Sequence, residues 1–396
     1  MRLARLRLDH YRSYVSAEIE PDPGLTVIAG PNGSGKTNLL ESVWVAVSGR
    51  SHRVATDADL VTHGAPLGRV TLDLAPASGR ETAARVELVL PGVDAPGGFR
   101  RRLTVNGVAR RHASLADTVR AVLFRPEEMM LLVGSPSERR RFLDAILAQQ
   151  SPGTARDLGD LARVLAQRNA LLRAIRAEEA DPGELGVWDE QLALVGGRVT
   201  AARLELVADL GARIGPLHDA VAPPEEQGDT VGLAYADVLK DAWPDREAAT
   251  TDPSVRSAQV LAEAIRRRLG AVRQKEIWNG VSLVGPQRDD MAVSLGGLPV
   301  AAHASRGQQR TIIVALKLAE TDRLAESGGP SPIVLLDDVF SELDPERSER
   351  GLDLLRQRGQ VLVTITDPAL LPARHRHRVP VWSVGDGRLA LAPRVA

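Results

Sequence analysis

The stretch that most limits what this chain can fold into is Gly30-Pro-Asn-Gly-Ser-Gly-Lys-Thr37, which follows the apolar run Leu25-Thr-Val-Ile-Ala29 and precedes Asn38-Leu-Leu-Glu-Ser-Val43. It fits G-x-x-x-x-G-K-[ST] at every position. Glycines let backbone N–H groups close around a β-phosphate, Lys36 reaches β/γ oxygens, and the Thr37 hydroxyl suits a Mg²⁺ ligand. The pattern therefore predicts a strand, a phosphate-binding loop and a helix in that order. Gly30, Pro31, Asn32, Gly33, Ser34, Gly35, Lys36, Thr37 and Asn38 are the candidate nucleotide contacts. A chance glycine-rich turn is the alternative.

A loop of this kind needs an acidic strand beside it. Ile333-Val-Leu-Leu-Asp337-Asp338 reads as a buried parallel strand ending in two acids, with Asp337 suited to Mg²⁺ and Asp338 to orienting water. Solvated turn acids would look the same. Ser305-Arg-Gly-Gln-Gln-Arg310 opens a helix with apolar Ile312, Leu316 and Ala319 at helical spacing, and Ser305 with Gln308 forms a capping box. Capping alone would account for the serine. Its place some thirty residues before the acidic strand, with Ser341-Glu-Leu-Asp344 after that strand, sharpens the reading.

At 396 residues the chain exceeds what one core usually organises, and 43% hydrophobic residues can fill two. Short strand-like runs at 25–29, 70–74, 86–90 and 119–124 fill the first 125 residues. From 137 to 218 helical spacing takes over: Leu158, Leu161, Leu165, Leu172 and Ile175, then Leu185, Trp188, Leu192, Val195, Val199, Leu206 and Leu210. The spacing predicts two helices sharing a seam, joined by AEEADPGE, with arms on the order of 35–45 Å. After the polar stretches PPEEQGDT and WPDREAATTDPS come a helix over 255–273, a strand over 281–284, a helix from about 306, and strands over 333–336 and 360–365. The first and last thirds share one βα grammar. The expected organisation is one α/β lobe from 1–125 with 281–396, and a helical lobe over 126–280.

Charge and cysteine usage narrow the chemistry. The absence of cysteine excludes disulfides, thiol nucleophiles and Cys-ligated zinc. No run approaches the ~18 apolar residues of a spanning helix, and MRLARLRLDHYRSY alternates like a strand, so a cytoplasmic protein without a membrane partner is expected. A net charge of -1 means that DNA would have to be held by local patches. Candidates are the arginines at 100–102, 110–111, 139–141 and 266–268, each as readily a solvated face.

Loop, signature, acidic strand and the stretch after it together resemble the head of ABC-type ATPases: an α/β fold with an inserted helical lobe bearing a short helical hairpin. The resemblance narrows to the RecF family, related to SMC heads. It is carried by Tyr11-Arg-Ser-Tyr14, Ser51-His-Arg53 with 57–60, Phe124-Arg-Pro-Glu127, Gly134-Ser-Pro136, Arg139-Arg-Arg-Phe-Leu-Asp144, Gln167-Arg-Asn169 and Gly285-Pro-Gln-Arg-Asp-Asp290. It implies ATP and Mg²⁺ as cofactors and a homodimer closed on two ATPs, in which Ser305, Gly307, Gln308 and Asp344 complete the partner's site. It also implies binding to double-stranded, gapped or junction DNA, and work with RecO and RecR in loading RecA. Arg12 would reach the phosphates by the same resemblance, although a surface arginine is as good a reading; Glu127 receives no role. The signature lacks the double glycine of transporters, Asp338 stands where many have glutamate, and the switch position reads Thr364-Ile-Thr366 without histidine. With Asp338, Lys36 and Thr366 as the catalytic set, hydrolysis should be slow, as suits a timed clamp. The rivals are a transporter subunit, which these departures disfavour, and a small-molecule kinase, which needs no signature serine and no ATP-dependent dimer.

Overall fold

The computed structural model describes residues 1–76, 83–243, 253–341, 343–376, 379–385 and 387–391. Much of WPDREAATTDPS, and Glu342, lie outside these. Two compact units divide the chain: Met1–Met129, Pro216–Gly228 and Arg306–Ala396 form the first, Met130–Gly215 and Asp229–Ser305 the second. Residues 281–305 thus pack with the helical unit and not with the α/β one, and 216–228 return to the α/β unit.

The first unit holds two six-stranded sheets. One is antiparallel: β1 (Arg2–Tyr11), β2 (Tyr14–Ile19), β4 (Leu67–Ala75), β5 (Ala84–Pro91), β6 (Arg102–Val105) and β7 (Val108–Ala109), in the order β2-β1-β4-β5-β6-β7. The other is built on β3 (Leu25–Ala29), β8 (Ala121–Phe124), β12 (Ile333–Asp337), β13 (Val361–Ile365), β14 (Val381–Gly385) and β15 (Arg388–Leu391), in the order β15-β14-β3-β13-β12-β8. All its pairings are parallel except β14 with β15. Its central strands are buried along their whole length, which is why they read as continuous apolar runs. Helix α1 (Lys36–Ser48) shares one core with both sheets, packing Leu39, Leu40 and Val43 with Leu6 and Leu72 of the antiparallel sheet and with Leu335 and Leu362 of the parallel one.

The helical unit contains α2 (Met130–Val133), α3 (Pro136–Gln150), α4 (Pro152–Arg176), α5 (Leu185–Val221, its last six residues in the α/β unit), α6 (Ala258–Asn279) and α7 (Val300–His303). The α4 and α5 seam expected from spacing is there, but α6 joins it: Leu161 and Val164 pack with Leu192, Val195 and Val199, and with Leu261, Ile265 and Leu269. The hairpin of α4 and α5 is therefore packed against a third helix. The apolar face of α6 is what closes the seam.

Residues 281–284 are not a strand. The Ser282 N–H donates to Asn169 Oδ1 (2.8 Å) and the Leu283 N–H to Glu276 Oε1 (2.6 Å), so side chains occupy the donors that a neighbouring strand would need. The strands of this unit are β9 (Val231–Ala236), β10 (Asp290–Leu295) and β11 (Leu298–Pro299), antiparallel in the order β11-β10-β9. Two helices of the α/β unit complete the chain: α8 (Arg306–Glu326), which starts directly after Ser305, and α9 (Pro345–Arg358).

Candidate nucleotide site

Strands β3, β13 and β12 run parallel side by side, so the loop after β3 and the acids ending β12 emerge at the same sheet edge. Gly30 is pinned there by its N–H to Ile365 O (3.3 Å), and a Cβ on it would lie 2.4 Å from Val384 O, so only glycine fits. Gly35, at φ 110°, starts α1 with no side-chain cap, leaving the first-turn N–H groups facing the loop. Pro31, Asn32 and Gly33 are exposed, while Lys36 is buried. The Lys36 ammonium donates to Gly30 O (2.8 Å) and Pro31 O (3.0 Å). Burial pulls its pKa down, against the opposing pull of Asp338 and Asp337. Among the described residues the buried Ser34 hydroxyl has no hydrogen-bond partner. A polar atom left so inside a ring of donors fits a phosphate oxygen.

Asp337 Oδ1 accepts two hydroxyl hydrogen bonds, from Thr37 Oγ1 (3.0 Å) and Thr364 Oγ1 (2.7 Å). Loop, acidic strand and the adjoining strand thus meet at one oxygen. Burial pushes the Asp337 carboxyl up, the two hydroxyls pull it back, and the charges of Asp338 and Glu127 add to the rise. A cation at this place would relieve that cost. Thr37 and Asp337 are a suitable protein donor set for Mg²⁺, an ion that usually takes one or two protein oxygens and completes its shell with phosphate and water.

Asp338 is half-buried and adopts φ 52°, a left-handed conformation uncommon outside glycine. Its N–H donates to Thr364 Oγ1 (3.0 Å), and its carbonyl accepts from Ser341 Oγ (2.7 Å). The strained turn re-aims the second acid away from the strand direction. The hydroxyl seated between both acids is therefore that of Thr364, fully buried on β13, while Thr366 lies half-buried just beyond the strand. From sequence Thr364 is part of the switch stretch Thr364-Ile-Thr366, with the catalytic role expected of Thr366; a hydroxyl inside an otherwise apolar buried strand is the signal that points to Thr364 instead.

The Tyr11–Tyr14 stretch braces the loop from the antiparallel sheet. Tyr14 Oη donates to Gly35 O (3.0 Å), and Asn38 Nδ2 donates to Ser13 Oγ (3.0 Å). The Arg12 guanidinium forms two hydrogen bonds of 2.9 Å to the Glu41 carboxylate and one of 2.9 Å to Asp59 O. Arg12 is thus committed to the body of α1. Glu41 is fully buried and also accepts from Ser51 Oγ (2.6 Å); burial raises its pKa, but Arg12 and Ser51 outweigh that and hold it below the ordinary value. A lone carboxylate inside the apolar stretch of α1 was its only sequence signal.

Ser305 is exposed at the start of α8, with Gly307 and Gln308 in the first turn. Asp344 caps α9 by accepting from the Arg347 N–H (3.0 Å). Arg347 also pairs with Asp344 and with Glu226 and donates to Thr311 Oγ1 (2.8 Å), so the post-strand acid and the signature helix share one charged node. Glu226 belongs to PPEEQGDT, which reads from sequence only as a polar stretch.

The motif pieces of the helical unit serve its framework. Arg139 forks onto Asp290 (2.7 and 2.8 Å), and Arg140 donates to Asp289 O (2.8 Å). Arg203 forks onto Asp144 (2.8 Å to each oxygen) and donates to Pro286 O. Arg168 bridges Asp189, Glu276 and Ser282.

The chain matches the RecF/RecN/SMC N terminal domain family over residues 2–379. It is 38% identical to the DNA replication and repair protein RecF of Kineococcus radiotolerans, over 97% of this chain and 98% of that protein. To the protein of the same name from Chloroflexus aggregans it is 34% identical, over 98% and 99%. Its fold superposes with TM-score 0.85 on the recombination mediator protein RecF-ATPrS in the RecFOR pathway, at 25% identity over 99% of this chain and 98% of that one. An Smc head bound to the C-terminal winged-helix domain of ScpA shares the fold at TM-score 0.55 and 15% identity, covering 99% and 97%. Matched by that family model over residues 2–379 and by RecF relatives over almost its whole length, this chain belongs to the RecF family.

Proposed function

We propose that this protein is an ATP-dependent DNA clamp of recombinational repair, with ATP hydrolysis as its timing switch. The observation that carries the reading is the convergence of Thr37, Asp337 and Thr364 on one carboxylate oxygen beneath the glycine loop. Lys36 exchanges its loop carbonyls for β/γ-phosphate oxygens, and the Ser34 hydroxyl and the α1 N-terminus take the remaining phosphate charge. Thr37 and Asp337 would hold Mg²⁺, which would supply positive charge to the transferred phosphoryl group. Asp338 orients water from its left-handed turn. Being one methylene shorter than the usual glutamate, and without a switch histidine, it supports slow turnover.

Ser305, Gly307 and Gln308 lie at a helix start, and Asp344 lies at another helix cap. By family likeness they complete the nucleotide site of a second copy, giving a homodimer closed on ATP. The closed dimer embraces double-stranded DNA, including gapped and junction forms, and acts with RecO and RecR in loading RecA. Hydrolysis opens it. The relatives' shared name and the RecF-ATP structure in the RecFOR pathway support the reading. Among the described residues no helix is long and apolar enough to cross a membrane. Solution mass with and without ATP, alongside the ATPase rate with and without duplex DNA, tests the proposal. A mass that stays monomeric in ATP and a rate indifferent to DNA would overturn it.

A further inference from the structure

We propose that the β6–β7 edge hairpin, bearing Arg100, Arg102, Arg110 and Arg111, is the surface on which this protein receives the sugar-phosphate backbone of DNA; the inference rests on the DNA-binding reading above. Strand β7 is the last of the antiparallel sheet. The hairpin turns at Asn106 (φ 51°) and Gly107 (φ 79°), the left-handed pair of a tight two-residue turn. The Arg110 N–H donates to Leu103 O (2.9 Å), which sets Arg110 and Arg111 alongside Leu103 and Arg102. The tip is pinned to β5 by reciprocal bonds of 2.8 Å, Asn106 N–H to Arg85 O and Arg85 N–H to Asn106 Oδ1. Arg111 thus stands opposite Arg102 and Arg110 opposite Leu103, so the four exposed arginines line a braced sheet edge.

Charge pairing singles this edge out. On the earlier strands of the same sheet Arg5 pairs with Glu18 and Glu20, Arg7 and Arg85 with Asp73, and Arg69 with Glu87; Arg101 turns to Asp57. Arg100, Arg102, Arg110 and Arg111 are exposed, and among the described residues no carboxylate lies within 4.0 Å of them. The other clusters are largely neutralised: Arg139 by Asp290, Arg141 by Glu138, Arg266 by Glu190 and Glu263, Arg267 by Glu263. A guanidinium already held by a carboxylate releases few DNA counterions, whereas a free one contributes fully. In a chain of net charge -1, the unpaired edge is where phosphate gains most. Edge arginines also deter strand-to-strand pairing, a role that would leave DNA affinity untouched.

The test uses the full chain with ATP and a labelled mixed-sequence duplex, titrated at several salt concentrations. Replacing Arg100, Arg102, Arg110 and Arg111 together by Gln should lower affinity at least about tenfold at moderate salt and shrink the log–log salt slope by up to about 3.6, at about 0.9 per lost phosphate contact. The matching four-Lys variant should keep the slope within about 1, because charge is retained. A control with Arg141→Gln, Arg267→Gln and Arg268→Gln should keep affinity and slope, and ATP affinity should be parental in all three variants. If the Gln variant binds with parental slope while the parent binds normally, the hairpin is not the DNA face and the DNA reading survives. Equal loss in the control would also remove the hairpin's claim. A parent that shows no salt-dependent DNA binding with ATP defeats the DNA reading and this proposal with it.

Discussion

Asp337 carries two hydroxyl donors on one oxygen, and Thr364, one of the two, also accepts the N–H of Asp338. Thr364→Val keeps the shape of a buried strand residue but leaves Asp337 one donor short and the Asp338 N–H with its weaker carbonyl contact alone. We expect about 1–3 kcal/mol of lost stability, the usual range for an unsatisfied buried group, together with slower ATP hydrolysis and near-parental ATP affinity. Denaturant unfolding and nucleotide titration separate the two effects; parental turnover would show that Thr364 positions neither acid. Asp338→Asn retains size and removes the charge that orients water, so ATP should stay bound, turnover should fall at least about 100-fold and the ATP dimer should persist. Single-turnover hydrolysis at parental rate would exclude Asp338 as the water-orienting group. At this scale the glycine loop and Asp337–Asp338 were legible because phosphate chemistry demands those residue types in that order. Glu41 was not, and Thr364 was legible only as a member of the switch stretch, since each is one polar residue in an apolar run whose partner lies far off in sequence.

From sequence the arginines of α3 read as a basic DNA-facing cluster or a solvated face, and their partners point to a third role, a framework. Arg139 and Arg140 are turned onto Asp290 and the Asp289 carbonyl. Arg139→Ala should therefore cost about 1–3 kcal/mol, discounted because Asp290 is partly exposed, and leave the salt dependence of DNA binding unchanged. Urea midpoints and salt titrations of the same variant read both; a shallower salt slope at parental stability would reverse the assignment. The start of α8 calls for a different experiment. Ser305→Arg puts a bulky side chain at the helix start, adding like charge to the positive end of the dipole and sterically blocking a second copy's phosphate while leaving the chain's own glycine loop intact. ATP binding by the monomer should be near parental and ATP-induced mass doubling lost. A variant that still doubles its mass would remove Ser305 from the dimer contact.

At the scale of the whole molecule, two partly buried histidines of the α/β unit and one buried carboxylate of the helical unit respond oppositely to acid. His52 and His112 are pushed down to about 4, chiefly by burial, with Arg125 and Arg101 respectively adding to the effect. Folding favours their neutral rings, so their contribution is complete above about 6.5 and is lost as pH falls toward 4. Asp289 in the helical unit is pushed up to about 6 by burial, against the Tyr235 hydroxyl, the Val238 N–H and Arg203. Its contribution is complete below about 4 and is lost as pH rises through 6. The variant His52→Gln/His112→Gln should therefore show a flatter loss of stability between pH 6.5 and 4 than the parent, and Asp289→Asn a steeper one. Urea midpoints over that range check the signs; parallel curves for all three proteins would show that these groups are not buried as described.

What the sequence determined by itself was the chemistry of local stretches: loop, acidic strand, signature helix and the periodicity of α4 and α5, because such patterns depend on neighbours within a few residues. It also supported the family likeness. Tertiary structure decided which arginine meets which carboxylate, where the unit boundaries fall, that α6 completes the helical packing, and that 281–284 is a loop held by Asn169 and Glu276. Those outcomes turn on contacts between residues distant in the chain. A charged side chain looks the same in sequence whether it is free to meet DNA or already neutralised by an acid a hundred residues away.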